Sequence, residues 1–155
     1  MIRILFVCHG NICRSVMAEY ILKKRVKDNG LSDEIVVDSA ATSMEEIGNT
    51  IYPPAEKTLK AHAIPIGSHR ARQITKKDYQ QFDMIIVMDS ANRRNVLRIV
   101  GEDPEGKIHQ ISEYASFSGD VQDPWYTGEF ETVYRQINDG CEGLLWSIRR
   151  IMRDF

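Results

Sequence analysis

Short unbroken apolar runs alternate along the chain with segments whose apolar residues recur every three or four positions. Residues 2–7, Ile-Arg-Ile-Leu-Phe-Val, form the first run, and its apolar density predicts a strand buried on both faces. A turn containing Gly10 leads into a helix from about Ser15 to Asp28, with Val16, Met17, Tyr20 and Ile21 on one side and Gly30 as its stop. Residues 34–40 predict a second strand. Pro53 and Pro54 open a helix through Ala55, Leu59 and Ala61, which Ile64-Pro65 ends. The strongest buried strand falls at residues 83–89, followed by a helix over 92–100 and a short fourth strand over 107–111. In the last quarter Phe130, Val133, Tyr134, Ile137, Cys141, Leu144, Leu145, Ile148 and Ile151 recur at offsets of three and four, which predicts one long amphipathic helix.

Strands alternating with helices describe an α/β fold: a single domain over residues 1–155, with a four-stranded parallel sheet and helices on both faces. Such sheets bind ligands outside the carboxyl ends of their strands, which directs attention to Cys8, immediately after the first run. A chain of 155 residues buries about two-thirds of its unfolded surface, so neither disulfides nor metals are needed to hold it together. Its 20 basic and 22 acidic residues leave a net charge of −2, without the cationic excess that a nucleic-acid binder needs. At 43% hydrophobic and 27% charged residues the composition is that of an ordinary globular protein. No apolar run approaches a membrane span, and residues 1–7 are too short for a secretory signal. Three cysteines, Cys8, Cys13 and Cys141, are an odd number and cannot close a disulfide framework. These features predict a cytoplasmic, reduced protein with no nucleic-acid or membrane partner.

The chemistry concentrates in residues 8–15, Cys-His-Gly-Asn-Ile-Cys-Arg-Ser, between a predicted strand and a predicted helix. A turn there aims successive backbone N–H groups inward, and the helix behind it adds the positive end of its dipole. Gly10 and Asn11 are residue types that accept the positive φ such a turn requires. Arg14 offers a planar fork that can hold two phosphoryl oxygens at once. The same positive surroundings favour the thiolate of Cys8, the reactive form, and Ser15 is placed to donate to that sulfur. Taken alone, the loop also suits a small core cysteine followed by a turn, because a Cys-five-Arg spacing arises by chance in many chains.

Residues 7–15 together with Ala18 and Glu19 resemble the opening signature of the low-molecular-weight protein tyrosine phosphatases. The resemblance extends through residues 38–43, Gly48-Asn49, residues 71–73, Phe82-Asp83, Met88-Asp89, residues 123–126 and residues 130–134, nearly the whole chain. It implies a flavodoxin-like sheet with the phosphate loop after its first strand, and no cofactor or metal. It implies hydrolysis of phosphotyrosine in proteins, or of small aryl phosphates, through a cysteinyl-phosphate on Cys8. Arg14 and the amides of His9, Gly10, Asn11, Ile12, Cys13 and Ser15 would hold phosphate or another oxyanion. Asp123, before Pro124, matches the family's general acid, with Asp120 as the spare candidate and a turn-forming Asp as the plain alternative. Asn11, Ser15 and His69 match a network that braces the loop. Cys13 matches a cysteine that can form a disulfide with Cys8 and shield it from over-oxidation.

Two further positions have plain readings, His62 as a helix-end cap and Asp89 or Ser90 as a helix N-cap, while the resemblance implies that Asp89 lies near the phosphate loop. Cys141 lies on an apolar stripe and reads as core. The chain departs from the family's pattern at three places. Glu45 stands where mammalian members carry an aromatic wall residue, and its carboxylate would repel acidic peptides. Val16 replaces a common Pro, and His9 a common Leu or Thr. Trp125 and Tyr126 remain as one wall of an aryl slot. An arsenate reductase of similar fold would need a cysteine relay after the third strand, yet no Cys occurs there before Cys141. A phosphate binder without catalysis would be expected to have lost Cys8, Arg14 or Asp123, and all three are present.

Overall fold

In the computed structural model, which describes residues 1–153, four parallel strands form one sheet: β1 (Ile2–Cys8), β2 (Ile35–Ala41), β3 (Met84–Val87) and β4 (Ile108–Gln110). Their spatial order is β2-β1-β3-β4. The last two residues of the predicted domain, Asp154 and Phe155, lie outside the described residues. Helices α1 (Arg14–Asp28), α2 (Pro53–Ala61), α3 (Lys76–Gln81), α4 (Ser90–Val100), α5 (Pro124–Thr127) and α6 (Phe130–Arg153) complete the fold.

The apolar density of β1 follows from its central place. Ile4, Phe6 and Cys8 point into a core shared with Met17, Ile21, Leu59 and the α6 stripe. Leu5 and Val7 point the opposite way, onto Tyr79, Phe82 and Val96. β3 divides in the same manner: Ile86 joins the first core, and Ile85 and Val87 the second. A strand covered on both faces has no use for alternating polar residues. The α6 stripe is buried from Val133 to Ile148, and Cys141 is core as expected, whereas Ile151 is exposed.

Three short elements escape the hydrophobic pattern. α3 is announced by a capping box rather than by periodicity, Thr75 and Asp78 each bonding the other's backbone. A 3-10 turn at Ile111–Tyr114 packs on α6 so closely that a Cβ on Gly143 would stand 1.7 Å from Tyr114 O. α5 is a single turn begun by Asp123-Pro124. The strand expected over 83–89 is shorter because Asp89 leaves it to cap α4, which begins at Ser90 rather than at residue 92. His62 occupies the C-cap of α2, but its ring stacks on Tyr134 at 3.8 Å and bonds Glu131 instead of the helix carbonyls. Because β1 lies between β2 and β3, successive connections leave it in opposite directions, and its carboxyl end is the crevice of the sheet.

Candidate active site

Cys8 is the last residue of β1, and Arg14 and Ser15 open α1, so the loop between them closes around the helix N-terminus. Asn11 takes the left-handed conformation at φ 61°, whereas Gly10, also expected there, does not. Asn is among the residue types that tolerate this region. The Cys8 sulfur is buried, with Asn11 N at 3.3 Å, Ser15 N at 3.4 Å and Ser15 Oγ at 3.0 Å. Donors on three sides suit an anionic nucleophile at a helix N-terminus.

The hydroxyl's direction follows from its neighbours. Asn11 Nδ2 donates to Ser15 Oγ at 2.7 Å and to Ser39 Oγ at 2.9 Å. Ser15 therefore accepts from Asn11 and keeps its own proton for Cys8 Sγ. Asn11 Oδ1 in turn accepts from His69 Nε2 at 2.7 Å and from Arg72 N at 3.3 Å. Ser39 Oγ donates to Glu19 Oε1 at 2.6 Å, and Glu19 and Asp38 lie 3.3 and 3.4 Å from His69 Nδ1. The three residues predicted to brace the loop are thus joined behind it. Glu19, Asp38 and His69 are close enough together to face one ion. Their donor atoms are already engaged with Ser39, Lys23, Arg72 and Asn11, which does not fit a metal centre.

Arg14 is buried at the base of the cleft. Its Nη1 donates to Asp89 Oδ2 at 2.6 Å and to Val121 O at 3.0 Å, and its Nη2 lies 3.5 Å from Asp123 Oδ2. Burial by itself would lower the pKa of this guanidinium, but Cys8, Asp89 and Asp123 outweigh it and raise the pKa. Asp89 does cap α4 through Oδ1, as its plain reading expected, but its second oxygen anchors Arg14. That link joins residues 75 positions apart, and nothing in the local sequence announces it.

Asp123 divides its carboxylate in the same way. Oδ1 accepts from Trp125 N at 3.1 Å and caps α5, while Oδ2 faces Arg14. Its turn-forming role and its place in the cleft coexist. Asp120, the spare candidate, instead ties Ser90 and Gln110 to its own loop and does not line the cleft. Cys13 is buried on the loop, and desolvation first, then the charges of Cys8 and Asp123, push its pKa up. Burial raises the pKa of Cys141 as well. All three cysteines are free thiols.

The cleft has a cavity volume of about 100 Å³. Cys8, Gly10, Ile12, Cys13 and Arg14 line it together with His9, Glu45, Asp123, Trp125 and Tyr126. Asn11, Ser15 and His69 stand behind the loop and do not line it. His9 Nε2 lies 3.1 Å from Glu45 Oε2 at the mouth, both side chains open to solvent. Val16, where the family often has Pro, is fully buried on α1. Two residues of this region went unnoticed in the sequence. Glu46 lines the cleft beside Glu45, and Tyr52 supports Trp125 with ring centroids 4.7 Å apart. The only sequence signals were a second acidic residue and an aromatic before Pro53-Pro54.

A family model described as low molecular weight phosphotyrosine protein phosphatase matches residues 3–154. The low molecular weight protein-tyrosine-phosphatase YfkJ of Bacillus subtilis is 40% identical over 152 residues, covering 97% of each chain. The human low molecular weight phosphotyrosine protein phosphatase is 42% identical over 147 residues, 92% of each chain. The crystal structure of YfkJ superposes with a TM-score of 0.93 at 39% identity, covering 97% of this chain and 96% of that one.

Proposed function

The chain belongs to the low-molecular-weight phosphotyrosine protein phosphatase family, whose reaction is the hydrolysis of phosphotyrosine, and from that premise we propose how its own residues carry the reaction. Cys8 is the nucleophile. Its thiolate attacks phosphorus in line as the bond to the phenolic oxygen breaks, forming a cysteinyl-phosphate. Arg14 and the inward-facing amides of residues 9–15 bind the equatorial oxygens, where charge gathers in the transition state. Asp123 acts as the general acid that gives a proton to the departing phenolate. It then takes a proton from the water that attacks the cysteinyl-phosphate, releasing inorganic phosphate and restoring the thiolate.

One observation supports this reading above the others: a sulfur ringed by three donors shares a cleft with a buried guanidinium and a carboxylate oxygen 3.5 Å from it. Asp89 and Val121 O hold the Arg14 fork before substrate arrives, so less ordering remains to be done on binding. Asn11, Ser15 and His69 act through the loop they brace, and Ser15 steadies the thiolate when it departs from phosphorus. Trp125 and Tyr126 offer the aryl ring one wall. His9 and Glu45 shape the charge at the mouth.

Phosphotyrosine-containing proteins and small aryl phosphates are the substrates this cleft suits, with phosphate and related oxyanions as competitors. Free thiols at Cys8, Cys13 and Cys141 suit a reducing compartment, here the cytoplasm. No helix among the described residues is long and apolar enough to cross a membrane. The net charge of −2 gives nucleic acid no cationic surplus to bind. Cys13 serves as the partner that traps an oxidised Cys8 in a reversible disulfide, so Cys13→Ala should make inactivation by peroxide harder to reverse with thiol.

The experiment is hydrolysis of an aryl phosphate at mildly acidic pH with chelator present. Cys8→Ser is expected to abolish turnover and Asp123→Ala to lower kcat by about 10²–10⁴. Full activity in Cys8→Ser would overturn the mechanism.

A further inference from the structure

Beside the catalytic cleft lies a second, open depression of about 310 Å³. Ile12, Glu46 and Trp125 line both, so only these side chains separate the two. The neighbouring depression is tied to the phosphate loop, since Tyr52 N donates to Ile12 O at 2.9 Å. Ile12 and Ile51 supply its apolar surface, and the paired rings of Tyr52 and Trp125 its aromatic wall. Trp125 remains 51% exposed.

Glu46 is the one charged side chain lining this depression among the described residues. Asn49 Nδ2 holds its Oε2 at 2.7 Å, and no described residue donates to its Oε1. Cations in the vicinity are committed elsewhere. Arg14 is held by Asp89 at the base of the cleft, His9 faces Glu45, and Arg70 donates to Gly48 O and lines neither depression. An apolar floor, an aromatic face and a steadied carboxylate together complement a long aliphatic stem that ends in a cation.

We propose that this groove receives a lysine or arginine side chain lying within two positions of the phosphotyrosine, so that the enzyme selects basic-flanked phosphotyrosine segments. The inference rests on the cleft taking phosphotyrosine as described above. An extended peptide advances about 3.3 Å per residue and turns successive side chains to opposite sides. A phosphotyrosine over Cys8 therefore sends a near neighbour into the adjacent depression. The stem lies along Ile12, Ile51 and Tyr52, and the cation reaches Trp125 and the open oxygen of Glu46. An acidic neighbour would instead meet Glu45, Glu46 and Asp123.

The test measures kcat/KM at low ionic strength for phosphotyrosine peptides that differ only in Lys, Ala or Glu within two positions on either side. An aryl phosphate without flanks is run alongside. Wild type is expected to favour the Lys peptide over the Ala peptide about three- to tenfold, with the preference shrinking as salt is added. Glu46→Gln keeps the acceptor for Asn49 and should bring the Lys-to-Ala ratio toward one. Glu46→Lys should turn the preference toward the Glu peptide, a gain that a damaged fold cannot produce. Equal rates for the three peptides in wild type, or a ratio unchanged in Glu46→Gln, would overturn the groove assignment. Continued turnover of the aryl phosphate would then leave the phosphatase mechanism standing. Absence of turnover on every substrate would overturn both.

Discussion

Behind Cys8, Asn11 makes four hydrogen bonds through its side chain, to Ser15, Ser39, His69 and Arg72, and is 1% exposed. In front of Cys8, the side chain of Glu45 is 69% exposed and, among the described residues, hydrogen-bonds only His9, and Tyr126 is 81% exposed. These two regions lie a few residues from the same sulfur, yet one is fully bonded and the other mostly faces water. Donors that must point at a transition state act best when they are fixed beforehand, because no free energy is then spent turning them during the reaction. A mouth that accepts varied peptide segments has no such demand, and exposed charges there contribute through steering and selection. The cleft thus pairs a rigid side, bonded in advance, with an open and solvated one.

Breaking the rigid side should have the largest effects. Arg14→Lys keeps the charge but loses the fork, and kcat for an aryl phosphate is expected to fall by about 10²–10³, with affinity for inorganic phosphate reduced in parallel. Retention of wild-type kcat would show that a point charge suffices. Asn11→Ala should follow, costing about 2–4 kcal/mol of stability in urea unfolding. It strands buried partners and places a Cβ residue at φ 61° without the side-chain bonds that favour it.

Alkaline pH probes the buried thiols of the loop and of the α6 core. The pKa of Cys13 and that of Cys141 are raised by burial, and burial also pushes Tyr114 up to about 12. Groups with raised native values stabilise the fold fully below their unfolded pKa, and that contribution is lost as pH rises above it. Stability under reducing conditions should hold to about pH 8.5 and then decline, by about 1.4 kcal/mol per pH unit for each thiol that ionises only on unfolding. A flat stability profile from pH 8 to 10 would contradict this. The smallest effect belongs to the open side: Glu45→Ala is expected to change kcat/KM for an aryl phosphate by less than about threefold, since its charge is exposed and screened.

Legibility in the sequence divides along the same line. Unbroken apolar runs revealed β1 and β3, because a strand covered on both faces leaves a local signature that needs no partner to be read. Residues 8–15 could be read as an anion-binding turn because their spacing along the chain is itself the geometry. Asp123 was singled out by the resemblance of residues 123–126 to the family's acid loop, which did not reveal the division of its two oxygens between Trp125 N and Arg14. α3 was missed because so short a helix depends on a capping box rather than on a stripe. Glu46 and Tyr52 were missed because an acidic residue and an aromatic in a loop look alike whether they face solvent or a groove.

The order of residues by itself determined the parallel α/β layering, the cysteine at the end of β1 and the helix N-terminus facing it, since each depends on neighbours a few positions apart. Only the tertiary structure decided that Asp89 anchors Arg14 across 75 positions, and that Trp125 leans on Tyr52 to leave a groove beside the cleft. Contacts of that span arise where separate loops converge at one end of a sheet, and a side chain's partner there is set by how whole elements pack.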